Sequence, residues 1–162
     1  MVTLEKKCKS IKLVLTDVDG VLTDGGMYYS EEGETLKKFN TRDGTGMELL
    51  LEKNIKTILI TREKSKIVKT RTKKLKVFKT YFGIQQKELL LEKISKELDI
   101  SINHIAYIGD DVNDYKIMKK VGLSCAPNDA VDKIKNISDY ICKLKGGEGA
   151  FREMAELILS FK

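Results

Sequence analysis

Two acidic clusters carry the chemistry of this chain. Asp17 and Asp19 lie in the stretch Leu-Thr-Asp-Val-Asp-Gly, directly after a short apolar run. Asp110, Asp111 and Asp114 lie in Gly-Asp-Asp-Val-Asn-Asp, directly after another. Each cluster alone has an ordinary local explanation, since Asp and Gly build turns and Asp favours helix N-termini. Brought together, they would leave several carboxylates with no cation, and like charges raise each other's pKa or demand a counter-ion. A hard divalent ion with oxygen ligands resolves the repulsion, and Mg2+ takes one or two carboxylates plus waters and substrate phosphate. Lys87 falls in the first turn of a helix pattern, where the macrodipole disfavours a cation. It either snorkels into water or faces an anion held nearby. Thr61 closes a third apolar run, as an ordinary strand residue or as a donor to the same anion. Carboxylates, Mg2+, a hydroxyl and a lysine together describe phosphoryl transfer through an aspartyl phosphate, because metal and lysine neutralise the phosphate and let an anionic carboxylate attack.

The elements that must position these groups follow from periodicity. Short apolar runs predict strands over 11–16, 57–61, 77–82, 105–109, 123–126 and 140–142. Helical spacing marks 46–53, 65–75, 87–98, 115–121, 131–136 and 151–161, with Leu90, Leu91, Ile94 and Leu98 on one face of the third. Residues 27–30 and 35–40 form a β-hairpin around Glu31-Glu32-Gly33. Strands alternating with helices predict an α/β fold, a parallel sheet wrapped by helices with right-handed crossovers. In such sheets the crevice lies beyond the carboxyl ends of the strands. Asp17, Thr61 and Gly109-Asp110-Asp111 end the three clearest strands, so acid, hydroxyl and acid fall on one sheet edge. Between Asp19 and Thr61 there is room only for a hairpin and one helix, and between Thr61 and Lys87 none for a cap domain. One domain over 1–162 is expected, with the hairpin at about 22–40 and a C-terminal tail at about 145–162.

Composition narrows the function classes. The 162 residues are 41% hydrophobic and 33% charged, which suits a globular chain with a substantial core. The net charge of +6 is spread along the chain among glutamates, without Trp or an aromatic-rich basic stretch, so a solvated surface is expected and nucleic-acid binding is not. No run approaches the roughly 20 apolar residues that span a bilayer, and the N-terminus lacks the features of a signal peptide; no membrane partner and a cytoplasmic location are expected. His104 is the one histidine, so His-based metal clusters are excluded, and no GxSxG accompanies it for a Ser-His-Asp triad. Cys8, Cys125 and Cys142 are widely spaced and are expected as free thiols.

At this point the chain resembles the haloacid dehalogenase (HAD) superfamily of phosphatases. Its motifs appear in order as Asp17-Val18-Asp19-Gly20, Thr61, Lys87 and Gly109-Asp110-Asp111-Val112-Asn113-Asp114. The resemblance implies a Rossmann-like HAD fold and makes Asp17 the nucleophile. Asp19 would protonate the leaving group and then activate water. Asp17, the Asp19 backbone carbonyl and Asp110 would hold Mg2+, with Asp111 and Asp114 in support, and Thr61 and Lys87 would bind the phosphoryl group. The stretches DVDGVLTDGGMYY, KKFNTRDGTG, AYIGDDVND and GGEGAFRE are similar to those of small capless phosphatases of phosphorylated sugar acids. That group acts on 3-deoxy-D-manno-octulosonate 8-phosphate (KDO-8-phosphate), or on the 9-phosphates of 2-keto-3-deoxynononate (KDN) and N-acetylneuraminate.

A capless site lies open to water, and the group closes it by forming a homotetramer, in which a neighbour's hairpin and tail cover the crevice. Met27, Tyr28, Tyr29, Leu36 and Phe39 make this hairpin apolar on both faces, as a buried interface requires. In the tail, Arg152 either reaches a substrate carboxylate or phosphate or is an ordinary surface residue. Arg42 either meets the substrate carboxylate or pairs with Asp43 or another acid. After Thr61 the family usually carries Gly, and this chain has Arg62. Glu63 stands where the KDO-8-phosphate type usually carries Arg and the nine-carbon type Glu, which favours a nine-carbon acid 9-phosphate. The resemblance leaves one non-enzymatic alternative, a tetramerisation module like the C-terminal domain of animal CMP-sialate synthetases. The intact Asp17 and Asp19 speak against it.

Overall fold

In the computed structural model, which describes residues 2–162, the apolar runs pair into one six-stranded parallel sheet. β1 (Leu13–Thr16) lies at its centre and sends alternate side chains to opposite faces. Leu13 and Leu15 enter one core and Val14 the other. After β1 come a hairpin of β2 (Tyr28–Ser30) and β3 (Gly33–Leu36), then β4 (Lys56–Ile60), β5 (Lys79–Tyr81), β6 (Ile105–Ile108), β7 (Leu123–Ala126) and β8 (Tyr140–Ile141). The strand order is β5-β4-β1-β6-β7-β8. The chain therefore leaves β1 on one side for β4 and crosses back to its other side for β6. This is the topological switch at which α/β sheets open a crevice.

Helices cover both faces. α1 (Leu4–Ser10), α2 (Thr41–Glu52), α3 (Lys66–Thr72) and α7 (Ala150–Leu159) bury Cys8, Met47, Val68 and Phe151 in one core. α4 (Lys87–Leu98), α5 (Tyr115–Met118) and α6 (Asp132–Lys135) bury Leu91, Ile117 and Ile134 in the other. All three cysteines are free and buried. Among the described residues no helix is long and apolar enough to cross a membrane.

Three departures from the sequence reading have local causes. α1 was not expected; Thr3 caps it by accepting from the Lys6 N–H, and Glu5 sits in its first turn. α2 starts five residues before the expected 46, because Asn40 caps it and accepts from the Arg42 N–H. Its Gly44 and Gly46 hide the helix in the sequence. Gly46 is there for packing: a Cβ would lie 3.2 Å from the Arg152 Cα of α7. The second hairpin strand ends at Leu36, and Phe39 keeps only an isolated bridge to Thr23.

Candidate active site

The ends of β1, β4 and β6 carry the expected residues to one edge. Asp17 follows β1, and its N–H still donates to the Ile108 carbonyl of β6 at 3.0 Å. Its Oδ1 accepts from the Val18 N–H at 2.7 Å and pairs with Lys87 Nζ at 2.9 Å. Asp114, reached from β6 through a short 3-10 turn, is fully buried. Its Oδ1 accepts from Lys87 Nζ at 2.7 Å and from the Tyr107 hydroxyl at 2.6 Å, and its Oδ2 accepts from the Asp110 N–H at 3.1 Å. Asp110 lies against the turn after Asp19. Gly20 has φ +88°, and a Cβ there would come within 2.0 Å of Asp110 Oδ2. Only glycine allows this approach.

One carboxylate oxygen from each of Asp17, Asp110 and Asp114 lies within 4.8 Å of the others. Burial pushes the Asp17 carboxyl well above its ordinary value, and the charges of Asp114 and Asp110 push further, against Lys87. Burial, then Asp114 and Asp111, raise Asp110 to about 7. Lys87 is fully buried, so it does not snorkel. Burial alone would lower it, but Asp17 and Asp114 outweigh that and hold it charged. Three acids thus face one ammonium, with Asp110 cradled against the backbone. An oxygen-only donor set with excess negative charge fits a hard divalent cation such as Mg2+. Asp114 also accepts from Lys87 and from the Asp110 N–H, which ties the two together. Asp111 spends one oxygen capping the 3-10 turn, accepting from the Val112 N–H at 2.6 Å.

Asp19 faces elsewhere. Its Oδ1 is paired at 2.6 Å with Lys37, which follows β3, and its Oδ2 lies 3.5 Å from Thr61 Oγ1. Its carboxylate is not part of the three-acid cluster. Thr61 is buried after β4 and accepts from the Glu63 N–H at 3.1 Å. Asp17, Asp19, Thr61, Glu63 and Asp110 line one crevice of about 350 Å3. Arg62 replaces the usual Gly without strain. Among the described residues only Asn54 and Asp99 are non-glycines at positive φ, and the Arg62 side chain reaches out to Gln85 at 3.1 Å.

Arg42 and Arg152 are brought together, but not here. They line a separate pocket of about 730 Å3 beside Tyr140 and Glu156. Arg152 pairs with Glu156 at 2.7 Å along its own helix. The Arg42–Asp43 pair, one of the alternatives for Arg42, is not made. Asp43 is buried and accepts instead from the Arg152 N–H at 3.0 Å, capping α7. Sequence reasoning missed Tyr107, Lys37 and Glu34. The first left a signal, since a tyrosine in a fully buried strand needs a partner for its hydroxyl. The other two left none, because alternation along a hairpin does not say where a lysine ends.

The chain is similar to known proteins over most of its length. Residues 7–154 match the haloacid dehalogenase-like hydrolase family. The chain is 40% identical over 153 residues to the 3-deoxy-D-manno-octulosonate 8-phosphate phosphatase KdsC of Salmonella typhi, covering 94% of this chain and 81% of that protein. The 3-deoxy-D-manno-octulosonate 8-phosphate phosphatase of Moraxella catarrhalis, solved in complex with magnesium ion, phosphate ion and KDO, superposes with TM-score 0.94 at 37% identity, over 98% of this chain and 91% of that one. The cobalt-bound Haemophilus influenzae phosphatase superposes with TM-score 0.92 at 37% identity, over 96% and 91%. Motif order, sheet topology and these matches over nearly the whole length place the chain in the haloacid dehalogenase-like hydrolase family.

Proposed function

We propose that the chain is a Mg2+-dependent phosphomonoester hydrolase that works through an aspartyl phosphate on a phosphorylated 2-keto-3-deoxy sugar acid, with KDO-8-phosphate as its substrate. The observation that carries the reading is the cluster of Asp17, Asp110 and Asp114 over buried Lys87, at the edge where β1, β4 and β6 end. Asp17 attacks phosphorus, and the bond from phosphorus to the sugar oxygen breaks. Asp19 gives its proton to that oxygen. Asp19 then takes a proton from water, which attacks phosphorus and breaks the bond to Asp17. Thr61 and Lys87 hold the phosphoryl oxygens. Asp17, Asp110 and the Asp19 carbonyl would hold Mg2+, with Asp111 and Asp114 in support, and the ion would neutralise phosphoryl charge.

KDO-8-phosphate rests on the relatives, which carry that activity in their names at 40% and 37% identity. Glu63 favours a second reading, a nine-carbon 9-phosphate of KDN or N-acetylneuraminate. It lines the crevice and offers a hydrogen-bond acceptor to sugar hydroxyls where an arginine would pair with a carboxylate. Comparing kcat/KM for the three phosphates decides between them, and Glu63→Arg should move the ranking toward KDO-8-phosphate. An unchanged ranking removes Glu63 from the argument.

The crevice is open, and the hairpin beside it exposes Met27, Tyr28, Tyr29 and Leu36. We infer that these residues seat against further copies of the chain in a homotetramer, which excludes water from the crevice. Arg42 and Arg152 would meet substrate only across such an interface. Sedimentation equilibrium tests the assembly, and a fully active monomer would overturn it.

A further inference from the structure

We propose that Lys37 is a positioning residue for Asp19, held in place by Glu34 and Ser65 so that one carboxylate oxygen is locked and the other faces the leaving group. The proposal rests on the reading of Asp19 as the acid and base. Lys37 lies just past the hairpin strand β3, yet its side chain is only 1% exposed. An ammonium on a short hairpin ordinarily reaches water, and burying it requires partners. Its partners are Asp19 Oδ1 at 2.6 Å and Glu34 Oε1 at 2.8 Å. Glu34 is itself anchored through its other oxygen by the hydroxyl of Ser65, which also caps α3 by accepting from the Val68 N–H at 3.3 Å. The chain Ser65–Glu34–Lys37–Asp19 therefore ties the acid to α3 through the hairpin. With Oδ1 occupied, Oδ2 is the oxygen left near Thr61 and the crevice, 3.5 Å from the Thr61 hydroxyl. Proton transfer needs a heavy-atom approach of roughly 2.6–3.2 Å, so a carboxylate free to rotate would lose much of its effect.

The role separates from a merely structural one by the leaving group. A sugar alkoxide needs a proton as it departs, and 4-nitrophenolate does not. The steps through leaving-group departure set kcat/KM, while water attack on the phosphoenzyme is common to both substrates and enters kcat. Lys37→Met should lower kcat/KM on the best of the three sugar-acid phosphates about 100-fold, the scale of general acid catalysis. On 4-nitrophenyl phosphate kcat/KM should fall less than about threefold, with an initial burst of nitrophenolate as the phosphoenzyme accumulates. Lys37→Arg should recover most of the selective loss. Glu34→Gln loosens the far anchor and should show the same selectivity at a smaller scale, whether or not Lys37→Met folds. Asp19→Asn serves as the reference. If it does not discriminate the two leaving groups, the reading of Asp19 as the acid fails. If it discriminates while Lys37→Met and Glu34→Gln lower both substrates equally, or neither, the positioning role is overturned and the reading of Asp19 stands.

Discussion

Asp17→Asn should make the metal-free protein more stable while abolishing turnover. The residue is 4% exposed, so its charge is not hydrated away. Its cluster partners Asp110 and Asp114 present oxygens within 4.8 Å. At an effective dielectric constant of about 20, each such repulsion costs about 3.5 kcal/mol, and the attraction to Lys87 at 2.9 Å returns about 6 kcal/mol. With Asp110 raised to about 7, the repulsions about cancel the one attraction, and the cost of burying the charge, the largest influence on this carboxyl, tips the balance against the ionised form. Protonation relieves part of this, which is why the carboxyl sits well above its ordinary value. An asparagine is isosteric and keeps the Oδ1 contacts to the Val18 N–H and Lys87. Urea unfolding at pH 7 in EDTA should show the variant about 1–2 kcal/mol more stable than the parent. Added Mg2+ should reverse the order. The parent gains RT ln(1 + [Mg2+]/Kd), and the variant, lacking a ligand, gains less. A variant less stable than the parent in EDTA, or an equal Mg2+ increment in both proteins, would refute the balance of charges argued here.

Gly20→Ala places a Cβ 2.0 Å from Asp110 Oδ2 at a backbone φ of +88°. The carboxylate must move, and Mg2+ affinity measured by calorimetry should fall at least tenfold, the scale seen when groups that orient metal ligands are lost. Tyr107→Phe removes the hydroxyl that donates to Asp114 at 2.6 Å and should cost about 1.5–3 kcal/mol in urea unfolding, the range for a hydrogen bond to a charged group. Asp43 is held up to about 6 by burial, against the Arg152 N–H and the Arg71 charge. Its folded value lies above its unfolded one of about 3.9, so the native state binds more protons between them and stability falls as pH rises from about 4 to 6. Asp43→Asn should flatten that part of the stability profile, and an unchanged slope would assign it to other groups.

What was legible in the sequence followed from covalent order. A strand ends where its apolar run ends, so Asp17, Thr61 and Asp110 could be placed on one edge from their positions after three runs. Lys87 could be placed because its charge conflicts with a helix N-terminus, and the structure resolves that conflict with two buried carboxylates. The illegible part lies in long, flexible side chains and in helices that begin on polar residues. The Asn40–Gly46 stretch carries Arg42, a residue that invites a functional reading, yet its buried work is helical. Asn40 caps α2, Asp43 caps α7, and Gly46 lets the two helices touch. Arg42 itself points into a pocket away from the crevice.

Lys37 shows the converse. It sits in a Lys-Lys pair on a hairpin, where sequence gives no reason to prefer it to Lys38, and Lys38 is exposed. The difference is made by Glu34, three residues back, and Asp19, eighteen back, which meet only once the hairpin folds over the turn after β1. A buried ion pair of this kind adds little net stability, because desolvation offsets attraction. In the proposed mechanism, fixing one oxygen of the carboxylate that would move a proton is a benefit of another kind, in geometry. That benefit would account for an ammonium kept out of water beside an otherwise open crevice.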